Sequence, residues 1–496
     1  MIDPESLPEV FFADHGVPRA TLSDWARTGT VVRLGSGIYT TARDKPPEDI
    51  VRRHWRRIVA HEMPGAVITD RSGPDPRPMG GVLFVAHPTR QRPLTLPGLV
   101  VRPRRGPGAV DGDLPIEPGL WAASPARWLL DNSRISRSRS TDTSRTMDDG
   151  ELADAVDRLA ASVGERLARV RQHVRDLAPL VGPGVRPEVV DRLIGIASGT
   201  RPDETVQTRA LAARQRGEPF DRARIELFER IAHDLVGREH GVLATADATA
   251  PPMASFFEAY SSNFIEGTEF EIDEALAIIT TGRVPANRPA DAHDITGTHE
   301  LVHDGDLADD RSAQAFLDRL KREHATLMSG RPDKGPGRLK TRSNRAGDHL
   351  FVEPSYVVGT LSEGWQCIGR LDDPFDRALL TMFVVAEVHP FEDGNGRIAR
   401  LASNRVLSQH GLARLIIPTV YRNDYLRGLR GLSTVVATES YVAIMEFAHR
   451  WTANVDWSTI DSAMADLHSS HALLSPDDAD NGLGLRLPLR ITNTGQ

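Results

Sequence analysis

The most confining feature of this 496-residue sequence is a pair of apolar segments held apart by a short polar one. DPFDRALLTMFVVAEV, Asp373 to Val388, opens on a capping aspartate followed by proline and is apolar enough to be a buried helix. Beyond it Ile398, Leu401, Val406 and Leu407 recur at helical spacing. The chain must therefore bury two helices joined by HPFEDGNGRIAR, His389 to Arg400, with the second helix opening near Gly394 to Gly396.

That junction carries chemistry. Gly394, Asn395 and Gly396 at a helix start present backbone N–H groups with no partner inside the helix, reinforced by a dipole worth roughly half a positive charge. Such a start is an anion cradle suited to phosphate. Arg397 and Arg400 stand three apart on one helix face, so two guanidinium forks flank the cradle, enough for a di- or triphosphate. Asp393 would repel phosphate unless it holds Mg²⁺ against the same oxygens. His389, with an ordinary pKa of about 6.5, suits a base that takes a proton from an attacking hydroxyl. Phe391 is expected to point into the core. Alone, a histidine or a Gly-Asn-Gly would be read as structural; their combination at this spacing argues for a site.

The rest of the chain gives context. A length of 496 residues exceeds one hydrophobic core, so the protein is multidomain. A formal net charge of −8 gives no global attraction to nucleic acid or anionic membrane. The acidic start MIDPESLPEV lacks the features of a signal peptide, and no apolar run nears the roughly 20 residues of a membrane span. With the single Cys367, read as a core residue, these features lead us to expect a cytoplasmic protein without membrane partners.

SLPEVFFADHGVPRATLSDWARTGTVVRLGSGIYTT is expected to form a helix, a turn at Gly16, a second helix from about Arg19 and two β-rich runs, Val31 to Leu34 and Ile38 to Thr41. That is the order of a winged helix-turn-helix, which would offer Arg19, Thr21 and Ser23 to a DNA groove and Arg33 to phosphate. A helix-turn-helix used only for protein contacts is the alternative. Residues 134–149, rich in Ser, Arg, Thr and Asp, are expected to be a mobile insertion. One helix follows over Glu151 to Leu180. From about Pro202 the pattern is nearly all helical to about Asp456, interrupted between Gly330 and Pro354, and the tail from about Ser469 is expected to be loose.

HPFEDGNGRIAR matches without departure the HxFx(D/E)GNGRxxR motif of the Fic (filamentation induced by cAMP) family, and the resemblance extends from about Pro251 to Trp457. It implies transfer of AMP from ATP to a hydroxyl side chain of a protein, with His389 as base and Asp393 on Mg²⁺. It also implies Gly394, Asn395 and Gly396 as the phosphate nest and Arg397 and Arg400 as the clamp on the β- and γ-phosphates. AYSSNFIEGTEFEID resembles that family's inhibitory (S/T)xxxE(G/N) motif through Ser262, Glu266 and Gly267; the glutamate would pair with Arg400 and block seating of the γ-phosphate. Gly335 to Pro354 resembles the family's flap, a β-hairpin that docks an extended target segment, although Lys340 and Arg342 there could equally be solvated. Tyr421 and Tyr425 could border an adenine or belong to the core. GVPRATLSDWARTGTVVRLGSGIY resembles the winged-helix domain of abortive-infection type antitoxins, and Gly119 to Asn132 looks like part of that family's second domain.

The fold expected is mainly α and multidomain. A winged helix-turn-helix over 1–72 precedes a small α/β domain over 73–202, a Fic domain with a β-hairpin flap over 203–465, its inhibitory helix near 255–267, and a tail over 466–496. The activity expected is protein adenylyl transfer, onto an unidentified protein or onto the chain itself. Removal of AMP and transfer of UMP or phosphate are the alternatives on the same fold. A different class would be a DNA-binding regulator, through residues 1–72, or a self-restrained toxin, with the Fic domain as nucleotide sensor.

Overall fold

The computed structural model describes residues 3–136, 143–206, 208–243, 251–303, 307–308 and 310–488. The chain divides into two compact units, Met1–Gly217 and Glu218–Gln496.

In the first unit, strands β1 (Val10–Phe12), β2 (Val32–Gly35) and β3 (Ile38–Thr40) form an antiparallel sheet in the order β1-β3-β2, beside helix α1 (Arg19–Thr28). The segment expected to be a helix before Gly16 is thus a strand. Val10, Phe11 and Phe12 are all buried and pair with Thr40, Tyr39 and Ile38, a run that a strand covered on both faces satisfies better than an amphipathic helix. One helix, not two, precedes the β2–β3 hairpin.

Helix α2 (Pro47–Glu62) leads into a six-stranded mixed sheet of β4 (Ala66–Ile68), β5 (Val82–His87), β6 (Leu94–Leu96), β7 (Leu99–Arg105), β8 (Leu114–Glu117) and β9 (Leu120–Ala122), ordered β6-β7-β5-β4-β9-β8. A single apolar core from Val10 to Leu120 runs on both sides of residue 72. Helices α3 (Pro125–Asn132), α4 (Asp149–Val163), α5 (Leu167–Leu177), α6 (Pro187–Ala197) and α7 (Arg209–Gln215) complete the unit.

Two expectations change here. The stretch expected to be one helix over Glu151 to Leu180 is two, broken where Gly164 takes φ 53. Of the insertion expected to be mobile, residues 137–142 lie outside the described residues, but its end is fixed. Arg145 Nη1 donates to Asp70 at 2.9 Å, Met147 is buried, and Asp148 caps α4 through a capping box.

The second unit is helical. Its elements are α8 (Arg222–Leu235), α9 (Pro252–Ile265), α10 (Ile272–Thr281), α11 (Pro289–His303), α12 (Ala313–Leu327), α13 (Val357–Ile368), α14 (Pro374–Val388), α15 (Asn395–Gln409), α16 (Arg422–Val435), α17 (Thr438–Asn454), α18 (Ile460–Ser469) and α19 (Pro476–Asp480). The one interruption holds a two-stranded hairpin, β10 (Arg345–Ala346) with β11 (His349–Leu350). Helices α14 and α15 sit at the centre of the larger core, where Phe375, Leu379, Phe383, Ile398 and Ala402 are buried and Cys367 is a core residue. Within its described residues, the tail expected to be loose is docked. Ala472 is buried and its carbonyl accepts from Thr419 Oγ1 at 2.8 Å. Residues 489–496 lie outside the described residues. No described helix is long and apolar enough to cross a membrane.

Candidate active site

Helix α14 starts as its sequence dictates. Asp373 Oδ1 accepts from the N–H groups of Phe375 and Asp376, and Pro374 takes the first turn. It ends at His389, a non-glycine residue at φ 53, a conformation that costs energy and so marks a constrained position. The His389 N–H still bonds Val385 O at 3.0 Å, and its Nδ1 lies 3.1 Å from Ala386 O. A carbonyl can only accept, so Nδ1 carries the proton and Nε2 keeps the lone pair. Phe351, just past β11, stacks on the imidazole at 3.7 Å between centroids. Burial, helped by the Lys340 ammonium, lowers the His389 pKa to about 4, so the ring is neutral near pH 7.

The loop that follows is held from three sides. Asn395 Oδ1 accepts from Phe391 N at 2.8 Å while its Nδ2 donates to Phe391 O at 3.0 Å. The side chain of Asn395 is therefore spent on shaping the loop, and its backbone N–H is what it can give to an anion. Phe391 is fully buried and stacks on His324 of α12 at 3.8 Å. His324 Nε2 donates to Asp393 O at 3.1 Å and its Nδ1 accepts from Gly337 N at 2.9 Å. From the flap side, Lys340 N donates to Pro390 O at 2.9 Å, its Nζ to Val388 O at 3.3 Å and to Asn344 at 2.7 Å, and Asn344 Nδ2 to Phe391 O at 3.0 Å.

His324, Lys340 and Asn344 were missed as supports of the loop by sequence reading. Lys340, expected to be equally compatible with a solvated loop, is buried, and burial lowers its pKa to about 8. The only signal in the sequence was that basic residues clustered just ahead of the motif.

Gly394 caps α15 at φ 75, and a Cβ there would press on Met328 Sδ at 3.0 Å, so glycine is required. Asp393 Oδ1 accepts from Gly394 N at 2.7 Å, which aims the half-buried carboxylate at the cradle rim. A hard carboxylate oxygen fixed beside a helix N-terminus could hold Mg²⁺.

Both arginines already have protein partners. Arg400 donates through Nε to Ser262 Oγ and through Nη2 to Ser262 O, both at 2.9 Å, and through Nη2 to Glu266 Oε1 at 2.7 Å. The buried Tyr425 ring lies 5.7 Å from its guanidinium carbon, which places Tyr425 in the core beside Arg400. A Cβ on Gly396 would collide with Glu266 Oε1, so the glutamate carboxylate covers the cradle itself. Arg397 Nη1 lies 3.1 Å from Asp294 Oδ2 and 3.2 Å from Asn263 Oδ1, and Asp294 also binds Arg331 at 2.8 Å. Gly267 follows α9 at φ 90 and turns the chain away. Helix α9 and the residue that caps it thus bring Ser262 and Glu266 to Arg400 of α15.

In the first unit, Arg19 and Ser23 share an exposed face of α1 at i, i+4, whereas Thr21 lies off that face and is half-buried. Arg33 is exposed and its Nε bonds Gly35 O at 3.0 Å within the hairpin.

Residues 316–407 match the family model described as Fic/DOC family. The protein adenylyltransferase fic-1 of Caenorhabditis elegans is 25% identical over 317 residues, 59% of this chain and 62% of its own length. The protein adenylyltransferase Fic of Nematostella vectensis is 26% identical over 232 residues, 44% of this chain and 53% of its own. A solved segment of C. elegans Fic-1 aligns with 60% of this chain and 84% of that one at 18% identity, with a TM-score of 0.32. The chain therefore spans less than two thirds of the length of these curated relatives.

Proposed function

This chain carries a Fic domain, and we propose that the domain is a protein adenylyltransferase that moves AMP from ATP to a Ser, Thr or Tyr hydroxyl of a protein. The observation that carries the reading is a neutral histidine with its Nε2 lone pair free, on the loop that leads into a helix N-terminus whose anion cradle a carboxylate occupies.

In the reaction, His389 Nε2 takes the proton of the target hydroxyl while that oxygen attacks the α-phosphorus. A new P–O bond forms, the bond to the bridging oxygen of the β-phosphate breaks, and pyrophosphate leaves. The N–H groups at the start of α15 and the guanidinium groups of Arg397 and Arg400 hold the phosphates in line, and positioning with charge neutralisation supplies most of the rate. Asp393 would hold Mg²⁺, which when bound neutralises charge on the phosphate oxygens. The hairpin β10–β11 offers an edge for main-chain pairing with a target segment, next to Phe351 over the base.

Glu266 acts as an intramolecular brake. Its carboxylate accepts from Arg400 Nη2 and fills the space over Gly396 that a γ-phosphate would need.

The reading is tested by incubating the full chain carrying Glu266→Gly, which lifts the brake, and a cell lysate with Mg²⁺ and ATP labelled at either the α- or the γ-phosphate. Protein-bound label from α-labelled ATP alone, with a mass gain of one AMP, supports it. Label from γ-labelled ATP would instead mean phosphate transfer, and no label from either would remove the transferase reading.

A further inference from the structure

We propose a divalent transition-metal site of the Zn²⁺ class in the first unit, formed by Asp14, His15 and His61. One ligand atom of each lies within 4.8 Å of the other two. His61 closes α2, while Asp14 and His15 lie in the turn between β1 and α1, so the three converge from segments far apart in sequence.

The set is built rather than incidental. His61 lies flat on Phe12, 3.6 Å between centroids and 3° between planes, and Phe12 is itself buried, which fixes the imidazole. His61 Nε2 faces both carboxylate oxygens of Asp14, at 3.0 and 3.1 Å. The backbone N–H of His15 bonds Phe12 O at 3.0 Å, and its ring stands edge-on to Phe12 at 5.3 Å and to His61 at 6.2 Å. Gly16, at φ 81, makes the tight turn that returns His15 toward α2. On the far side of the His61 ring, Nδ1 lies 3.4 Å from Glu62 Oε1 with no hydrogen bond between them, so Glu62 acts on the ring only through its charge. A negative charge near the second ring nitrogen raises the basicity of the coordinating one.

A tetrahedral ion with bonds of about 2.1 Å spaces its ligands about 3.4 Å apart, which small rotations of the exposed Asp14 and His15 side chains reach. Two imidazoles and one carboxylate with solvent on the open side give three protein ligands and a water, a set that imidazole chemistry directs to Zn²⁺ and its neighbours rather than to Mg²⁺ or Ca²⁺. A second grouping, His240 with Asp373 and Asp376, differs in kind. Both ring nitrogens of His240 already bond carboxylates, Asp376 at 2.7 Å and Glu446 at 2.6 Å, so neither is left for a metal. Metal at the first set would clamp the β1–α1 turn to the end of α2.

The test is equilibrium dialysis of the full chain against Zn²⁺ alone, with bound metal quantified for wild type, His15→Ala, His61→Gln and Glu62→Gln. Wild type is expected to hold one more equivalent than His15→Ala or His61→Gln. Glu62→Gln is expected to keep that equivalent with affinity lowered about 10- to 100-fold. His15 is exposed, so its replacement leaves the folded chain available for the comparison. Equal Zn²⁺ content in wild type, His15→Ala and His61→Gln overturns the assignment.

Discussion

Glu266 Oε1 accepts from Arg400 Nη2 at 2.7 Å while lying over Gly396, so one carboxylate takes both a guanidinium N–H and the mouth of the helix N-terminus. A hydrogen bond between charged groups contributes about 1.5–3 kcal/mol. Glu266→Gly is therefore expected to raise ATP affinity about 10- to 100-fold, measured by titration with a fluorescent ATP analogue. Unchanged affinity would separate this contact from nucleotide binding.

His389→Ala is expected to lower the transfer rate of the relieved enzyme by about 10²–10⁴ while leaving ATP affinity intact, because in the proposed reaction the imidazole acts on the hydroxyl and not on the phosphates. With its pKa lowered to about 4, the base is in its working form throughout the neutral range. The acid limb of the pH–rate profile is expected near pH 4, and a limb near pH 6.5 would contradict the burial of the ring.

His324 and His449 are fully buried, and burial lowers the pKa of each to about 4. A depressed folded-state pKa means that the unfolded chain binds the proton first as pH falls. The stability these rings contribute is thus complete above about pH 6.5 and is lost as pH falls toward 4, at up to about 1.4 kcal/mol per pH unit per ring. Thermal unfolding of the second unit between pH 4 and 7 is expected to show a flat midpoint above about pH 6.5 and a decline below it. A midpoint that rises on acidification would contradict the assignment.

Asp294 is buried between Arg397 and Arg331. Asp294→Ala would leave the Arg397 guanidinium buried beside Asn263 without its carboxylate, a loss of about 3–5 kcal/mol. Denaturant unfolding is expected to show that loss, whereas a change below about 1 kcal/mol would mean that water or another acid replaces it.

Sequence reading located the junction of α14 and α15 because its constraints are local: a capping aspartate before proline, helical spacing on both sides, and glycines where the backbone must turn. It placed Ser262 and Glu266 near Arg400 only through resemblance, since nothing in their spacing points across 134 residues of chain. His324 and Lys340 support the loop through tertiary contacts, and a lone histidine on an apolar helix or a lysine among basic neighbours gives no local sign of that. The side chain of Asn395 went to Phe391 rather than to the cradle, because a buried amide beside two free backbone groups satisfies them first. At the other end, Val10 to Phe12 became a strand because its partner Ile38–Thr40 lies more than twenty residues away, where periodicity within the segment cannot see it.

The most direct test of the central claim compares wild type, Glu266→Gly and the double variant Glu266→Gly/His389→Ala, each with Mg²⁺ and α-labelled ATP, by intact mass and by label on lysate proteins. The account predicts adducts of AMP mass with Glu266→Gly, little with wild type, and none above background with the double variant. Equal labelling by wild type and Glu266→Gly, or labelling that survives loss of His389, would contradict it.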